Sequence, residues 1–306
     1  MQVLRMARTL CAWTVAVISA LVPTAVAAQV KPRIVAVNYA LQYFTERLVG
    51  DHAEVVFPVP AGVDPAFWRP AISDISMIQG ADLIVLNGAG FATWVDRVSL
   101  PRSRLVNTSA AIEDQFIVTE RINHTHGDGG EHSHESLASS TWLDPMLAMA
   151  QADAIAAALI RRGLIDAEEL ASNLQGLRSD LAALNEEIEL ALSGAESLPV
   201  ITTHPRYAYV ARRYGLKAYA LDWDAGAMPS PDQLSRLRTL METNGAKILI
   251  WEAVPPRVAL AATVDLGLTN VIFEPLAQTP VQQPFIESIE RAAQGLAEAL
   301  RGQTQI

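Results

Sequence analysis

Short apolar runs alternate with helical patterns along most of the chain. Runs rich in β-branched residues end in polar or turn residues and cover 33–38, 54–59, 83–87, 199–203, 247–252 and 270–274. Helical spacing of apolar residues covers 40–49, 70–79, 205–214, 231–244 and 256–265. Such strands, separated by helices, are typical of parallel sheets covered on both faces. The pattern predicts an α/β fold with two lobes, each with a mostly parallel sheet flanked by helices.

A longer helical pattern separates the two sets of strands. Leucines and one isoleucine recur at spacings of four and three, at positions 170, 174, 177, 181, 184, 188 and 192. The spacing predicts one long amphipathic helix that joins the lobes as a rigid backbone. We therefore expect an N-terminal lobe at 28–145, linking helices at 146–194 and a C-terminal lobe at 195–306.

The first 27 residues are typical of a secretory signal peptide. Arg5 and Arg8 precede an apolar segment from Leu10 to Leu21, and Ala25-Val26-Ala27 is a small-residue cleavage site. No later segment stays apolar for the roughly 20 residues that a membrane span needs. We therefore expect export to the periplasm without membrane insertion.

Composition narrows the class of partner. Cleavage changes the formal net charge from −10 to −12, because removal of Arg5 and Arg8 leaves 21 basic against 33 acidic residues. This balance argues against nucleic acid and anionic membranes as partners. It is compatible with a cationic ligand, although many proteins are acidic for solubility alone. We expect a monomer.

One polar segment, 123–135, interrupts the α/β pattern. It holds four of the six histidines, His124, His126, His132 and His134, with glycines that let the backbone fold around an ion. Imidazole and carboxylate donors suit zinc. The segment predicts a metal-capturing loop, and an ordinary solvated loop is the alternative.

Two further donors follow predicted strands. His204 comes directly after the run 199–203, and Glu274 ends the run 270–274. The carboxyl ends of parallel strands face the crevice where ligands usually bind. Spacing alone leaves open whether the two side chains are ligands or structural.

An ordered series of motifs resembles the zinc and manganese solute-binding proteins of ABC transporters. The motifs are Pro60-Ala-Gly-Val-Asp-Pro65, Ser73-Asp-Ile75, Ala81 to Gly88, the histidine-rich segment, Trp142-Leu-Asp-Pro145, Thr202-Thr-His204, Tyr209 to Gly215 and Phe273-Glu-Pro-Leu276. The resemblance covers essentially the whole mature chain. It implies a metal, zinc first and Mn²⁺ as an alternative, held between the lobes by three histidines and one acid and delivered to a membrane permease.

Two of the four implied ligands are missing. His204 and Glu274 match a histidine and the acid, but Ala66 and Ser140 stand where the family usually has histidine. A tetrahedral zinc site uses four donors, so one imidazole and one carboxylate would bind zinc weakly.

Three interpretations of this departure are open. The loop histidines supply the missing ligands; or the cleft takes a metal chelate or an organic ligand; or the crevice is a relic and the protein is a metal buffer or chaperone. Aromatic and arginine side chains near the cleft favour the second, since they commonly line pockets for organic anions. They are Trp68, Arg69, Trp142, Arg206 and Trp223.

An enzymatic function is not expected. The sequence has no nucleophile elbow, no paired histidines on a helix with glutamate and no phosphate-binding glycine loop in a fitting context. Glu252, at a strand end, is the only candidate general base for metal-assisted hydrolysis.

Overall fold

Two parallel sheets, each with helices packed against it, organise the computed structural model, which describes residues 31–119, 136–223, 226–281 and 283–304. This confirms the predicted α/β class. All described residues belong to one compact unit. None of the described helices is both long and apolar enough to cross a membrane.

The N-terminal sheet has the strand order β2-β1-β3-β4. Its strands are β1 (Arg33–Ala36), β2 (Glu54–Val56), β3 (Leu83–Leu86) and β4 (Leu105–Asn107). Ile34 lies opposite Val55 on one side and Leu83 on the other, in parallel register. The central strands β1 and β3 are almost wholly buried, which explains their continuous apolar runs.

The C-terminal sheet has the order β10-β9-β7-β8. Its strands are β7 (Pro199–Thr202), β8 (Lys217–Ala220), β9 (Ile248–Trp251) and β10 (Thr269–Ile272). All three pairings are parallel. Within the two parallel sheets, the strands β4 and β8 were not among the predicted runs. Both lie at sheet edges and are partly exposed, so neither has a continuous apolar sequence.

Eight α-helices cover the sheets in the described part of the chain. They are α1 (Tyr39–Val49), α2 (Ile72–Gln79), α3 (Pro145–Arg162), α4 (Ala167–Ala191), α5 (Ala208–Tyr214), α6 (Pro231–Asn244), α7 (Arg257–Asp265) and α8 (Phe285–Thr304). Short 3-10 turns occupy Gly50–His52, Thr93–Arg97, Arg102–Arg104, Ala110–Gln115 and Thr141–Leu143. A two-stranded antiparallel ladder joins β5 (Val118–Thr119) to β6 (Ser136–Leu137).

The long helix α4 contacts elements from both halves of the chain. Asp166 caps its N-terminus by accepting hydrogen bonds from the backbone N–H groups of Glu168 and Glu169, at 2.9 and 3.3 Å. The helix packs on α1 and α3 and also on α8. Phe285, the first residue of α8, stacks on Tyr43 of α1 and packs edge to face on Phe44, with ring centroids 5.5 and 5.1 Å apart. The C-terminal helix therefore returns to the helices that cover the N-terminal sheet.

Candidate ligand cleft

The carboxyl edge of the C-terminal sheet carries three ionisable residues in a row. Because its strands are parallel, the residues that follow them meet at one edge. Glu274 follows β10, Glu252 follows β9 and His204 follows β7, which is also their order along the edge. Glu274 is exposed, His204 is half-buried and Glu252 is buried. The structure thus brings both predicted ligands to the same edge, with Glu252 between them.

The loop after β2 brings Asp64 and Ala66 to the C-terminal half. The Asp64 carboxylate accepts a hydrogen bond from the backbone N–H of Ala66 at 2.9 Å. Gln278 Nε2 donates to the carbonyl oxygens of Pro60 and Val63, at 2.9 and 2.6 Å. This loop, called here the Asp64 loop (residues 60–68), is therefore held against the segment that follows Glu274.

Ser140 lies at the corresponding edge of the N-terminal sheet. Asn87, which directly follows β3, donates from Nδ2 to the carbonyl oxygen of Ser139 at 2.9 Å. Thr141 donates from Oγ1 to Asn87 Oδ1 at 3.4 Å. The backbone on both sides of Ser140 is thus fixed, and the Ser140 side chain is buried.

Arg206 joins the two halves of the cleft. Its Nε donates to Glu252 Oε2 at 2.6 Å, and its Nη2 donates to Asp64 Oδ2. The side chains of Arg206 and Glu252 are 9% and 7% exposed, and that of Asp64 is 33% exposed. Burial by itself lowers the pKa of the guanidinium, but the charges of Glu252 and Asp64 outweigh it and leave the pKa raised. Arg206 is therefore a permanent cation in this cleft.

Tyr207 positions the strand ends that carry the candidate ligands. Its hydroxyl donates to the carbonyl oxygen of Phe273, and the two rings pack edge to face with centroids 5.5 Å apart. Burial raises the pKa of Tyr207 well above its ordinary value; the carboxylates of Glu252 and Glu274 raise it further, and the charge of Arg206 opposes them. The Tyr207 hydroxyl thus remains a neutral hydrogen-bond donor next to an electronegative edge.

Two tryptophans that the sequence suggested as ligand contacts belong to the packed interior. Trp142 is 1% exposed and donates from Nε1 to the carbonyl oxygen of Pro275 at 2.6 Å. Trp223 is 2% exposed and packs on Trp251, with ring centroids 5.4 Å apart. Neither indole ring offers surface to a cleft ligand in this arrangement.

Trp68 and Arg69 line a pocket that is separate from Arg206 and Trp223. This pocket, called here the Trp68 pocket, has a volume of about 270 Å³. Its walls include Phe67, Trp68, Arg69, Thr93, Trp94 and Arg97. Trp68 and Trp94 pack edge to face at 5.6 Å, and within the described residues the buried Nε1 of Trp94 has no hydrogen-bond partner. All lining residues come from the N-terminal half, beside Ala66.

The described cleft does not by itself fit a zinc ion. Among the residues that the structure describes, no three His, Cys, Asp or Glu side chains come together in an arrangement that could hold a metal. Ala66 has no donor atom, and Arg206 already occupies the carboxylates of Asp64 and Glu252. The four histidines of the polar segment, His124, His126, His132 and His134, lie outside the described residues.

The sequence did not predict the ion pairs of Arg206. Asp64 was visible only as part of a motif, and Glu252 only as a strand-end carboxylate. The signal that could have found the arrangement is an arginine two residues after a strand-end histidine, in a cleft otherwise rich in carboxylates.

Comparison with a protein-family model identifies the chain. The model described as zinc-uptake complex component A, periplasmic, matches residues 34–299. This chain belongs to that family. The family description is that of a transport component and names no reaction.

Curated relatives of this chain are named for zinc uptake or zinc binding. The high-affinity zinc uptake system protein ZnuA of Bacillus subtilis (strain 168) is 27% identical over 252 residues, covering 80% of this chain and 79% of that protein. The zinc-binding lipoprotein AdcA of Streptococcus pneumoniae (serotype 4) is 27% identical over 282 residues, covering 88% of this chain. The chain spans only 56% of AdcA, so AdcA is a longer protein.

Solved structures share the fold. The metal-dependent lipoprotein YcdH of Bacillus subtilis has a TM-score of 0.72 at 23% identity, over 88% of this chain and 99% of its own. FpvC of Pseudomonas aeruginosa in complex with Mn²⁺ has a TM-score of 0.74 at 22% identity, over 89% and 99%. At these identities the likeness shows a common fold.

Proposed function

We propose that the chain is the periplasmic solute-binding component of an ABC transporter, which captures zinc between its two sheets and delivers it to a membrane permease. The observation that carries this proposal is the family match over residues 34–299. The zinc-related names of ZnuA and AdcA support the same cargo. Binding without catalysis agrees with the family description of a transport component.

We further propose that His204 and Glu274 provide two zinc ligands and that histidines of the segment 123–135 provide the rest. The described residues on either side of this segment lie next to each other, because Thr119 of β5 pairs with Ser136 of β6. Ser140 follows four residues later, where the missing histidine would stand. Tyr209 of α5 donates to the carbonyl oxygen of Ala138 at 3.0 Å, so the chain just after β6 lies against the helix that follows His204. In the sequence, His132 and His134 precede Ser136 by four and two residues. Each residue spans at most about 3.5 Å, which limits how far these histidines are from Ser136.

Zinc titration calorimetry on the mature, tag-free protein tests this function. We expect one tight zinc per chain, weakened about tenfold or more by His204→Ala and also by replacement of the four loop histidines with alanine. His52→Ala is the matched control, because His52 is bonded to Glu169 at 3.0 Å on the outer surface and should not affect binding.

The outcomes separate the candidate functions. Absence of tight zinc in the unaltered protein would overturn the proposal. Loss of zinc binding in the loop variant with no effect of His204→Ala would instead indicate a metal buffer or chaperone that uses only the loop.

A second candidate function is suggested by the Trp68 pocket. Arg69 and Arg97 are exposed, and within the described residues neither forms an ion pair. Together with the two tryptophan rings that line the pocket, they suit an organic anion or an anionic metal chelate, although the protein as a whole is strongly acidic. The chelate would then be the cargo in place of the bare ion.

Fluorescence titration with anthranilate, an aromatic carboxylate, and calorimetry with zinc citrate test this second function. We expect binding that Trp68→Ala and Arg97→Gln each abolish and that the loop-histidine variant retains. If neither probe binds, bare zinc is the better cargo.

Export is proposed from residues 1–27, which lie outside the described residues. The mass of the protein recovered from the periplasmic fraction should correspond to a chain that begins at Ala28 or Gln29. Retention of Met1 in that fraction would contradict cleavage.

A further inference from the structure

One guanidinium holds carboxylates from both halves of the molecule. Arg206 lies after β7 of the C-terminal sheet, and it binds Glu252 of the same sheet and Asp64 of the Asp64 loop. The three side chains carry one positive and two negative charges. The pairing spans 142 residues of sequence between Asp64 and Arg206.

The two carboxylates need a cation between them. Glu252 is almost fully buried, and a buried carboxylate without a compensating charge is strongly unfavourable. Two carboxylates that share a site also repel each other unless a positive charge lies close to both. Arg206 fills this role here, and a divalent metal ion is the other kind of cation that oxygen donors of this sort accept.

Arg206 pairs with two carboxylates, whereas the other ionisable residues at the edge of the C-terminal sheet include an imidazole as well as a carboxylate. Carboxylate oxygens suit hard ions such as Mn²⁺, whereas imidazole suits zinc. Besides Glu252, the ionisable residues at the carboxyl edge of the C-terminal sheet include His204, which is an imidazole, and Glu274, which is a carboxylate.

We propose that Arg206 is a specificity-determining residue: it acts as an internal cation that ties the two halves together without metal and keeps hard divalent ions from Asp64 and Glu252. This proposal rests on the proposed metal-binding function and extends it. It explains how a cleft with three carboxylates could prefer zinc to Mn²⁺. It also predicts a cleft that stays closed when metal is absent.

Titration of Mn²⁺ into the mature protein and its variants is the first test. Arg206→Gln removes the guanidinium from both carboxylates and should raise Mn²⁺ affinity about tenfold or more relative to the unaltered protein. Arg206→Lys keeps the positive charge and should leave Mn²⁺ binding weak. The matched control is Arg178→Gln, which breaks the exposed Arg178–Asp153 pair and should change nothing.

The expected gain in Mn²⁺ affinity must depend on the carboxylates of Asp64 and Glu252. The triple variant Asp64→Asn, Arg206→Gln, Glu252→Gln should return Mn²⁺ affinity to that of the unaltered protein. A folded Arg206→Gln variant without tighter Mn²⁺ binding overturns the proposal, and so does a gain that survives in the triple variant.

A second measurement keeps the proposal testable if Arg206→Gln does not fold. The only cysteine of the chain is Cys11, so spin labels can be attached specifically to Asp114→Cys and Asp265→Cys, which are exposed positions in the two halves. We expect the label-to-label distance in the otherwise unaltered protein to be the same with and without EDTA. Opening of the cleft after EDTA treatment overturns the proposal. Loss of zinc binding alone would overturn the proposed function and leave both of these results interpretable.

Discussion

Single hydrogen bonds distinguish the buried tryptophans of this protein. Trp142 and Trp223 are buried to the same degree and each packs edge-on or tilted against another aromatic ring. Trp142 Nε1 donates to the Pro275 carbonyl at 2.6 Å, whereas within the described residues Trp223 Nε1 has no hydrogen-bond partner. Without a partner among the described residues, the buried Trp223 N–H already destabilises the folded state, so loss of that N–H removes no hydrogen bond.

Replacement of each tryptophan by phenylalanine should therefore have unequal effects. Both variants lose packed volume, but only Trp142→Phe breaks a hydrogen bond and removes the donor from the partly buried Pro275 carbonyl. We expect Trp142→Phe to lower the free energy of unfolding by about 2 kcal/mol and Trp223→Phe by about 1 kcal/mol. Urea denaturation measures both. Equal losses would show that the Trp142 hydrogen bond contributes nothing net.

At the scale of elements, the contact between α4 and α8 contains a carboxyl pair. Burial raises the pKa of Glu290 on α8, and the charge of Glu187 on α4 and a hydrogen bond to it raise it further. Glu290 therefore binds its proton more tightly in the folded protein than in the unfolded chain. The stability from this group is fully present at low pH and is lost as pH rises through the raised pKa.

Glu290→Gln should remove this pH-dependent loss. The variant should be more stable than the unaltered protein at pH 7, by about 0.5 kcal/mol, because it ends repulsion between partly exposed like charges. The difference should vanish below about pH 4, where the carboxyls are protonated. Thermal unfolding at several pH values measures it. Glu298→Gln, an exposed change on the same helix, is the control. A stability difference between Glu290→Gln and the unaltered protein that does not depend on pH would contradict the raised pKa of Glu290 as its cause.

At the scale of the whole molecule, Asp144 links helix capping to contact between the two halves. Its carboxylate caps α3 by accepting from the backbone N–H of Met146 at 3.0 Å, and it pairs with Arg213 Nε of α5 at 2.8 Å. Its side chain is 1% exposed. One buried carboxylate therefore both caps α3 and forms the ion pair with α5.

Graded variants should separate the two functions. Asp144→Asn keeps an oxygen for the cap and should cost about 2 kcal/mol through the lost charge pair, and Asp144→Ala should cost about 3 kcal/mol or more. Asp153→Asn, which breaks an exposed pair with Arg178, should cost less than about 1 kcal/mol. Denaturant titration gives all three values. An Asp144→Asn variant as stable as the unaltered protein would show that the Asp144–Arg213 ion pair does not stabilise the fold.

Much of the fold was predictable because it depends on local periodicity. The buried strands β1, β3, β7 and β9 lie within predicted apolar runs, and α6 begins at Pro231 and ends at Asn244 as predicted. The edge strand β8 escaped prediction because one neighbour and partial exposure leave no continuous apolar pattern. The helix predicted from Pro205 begins at Ala208 instead, since the backbone N–H of Arg206 turns back to the carbonyl of His204 at 2.8 Å.

The sequence by itself determined the α/β class and the placement of His204 and Glu274 after parallel strands, because strand periodicity and parallel order bring such residues to one edge. Only the tertiary structure decided that Arg206 binds Asp64 and Glu252, and that Trp68 and Arg69 line a pocket with Trp94 and Arg97. These pairings join residues that are 46 and 142 positions apart for Arg206, and no local pattern encodes them. They follow from how the loops at the ends of two separate sheets meet, which depends on packing across the whole molecule.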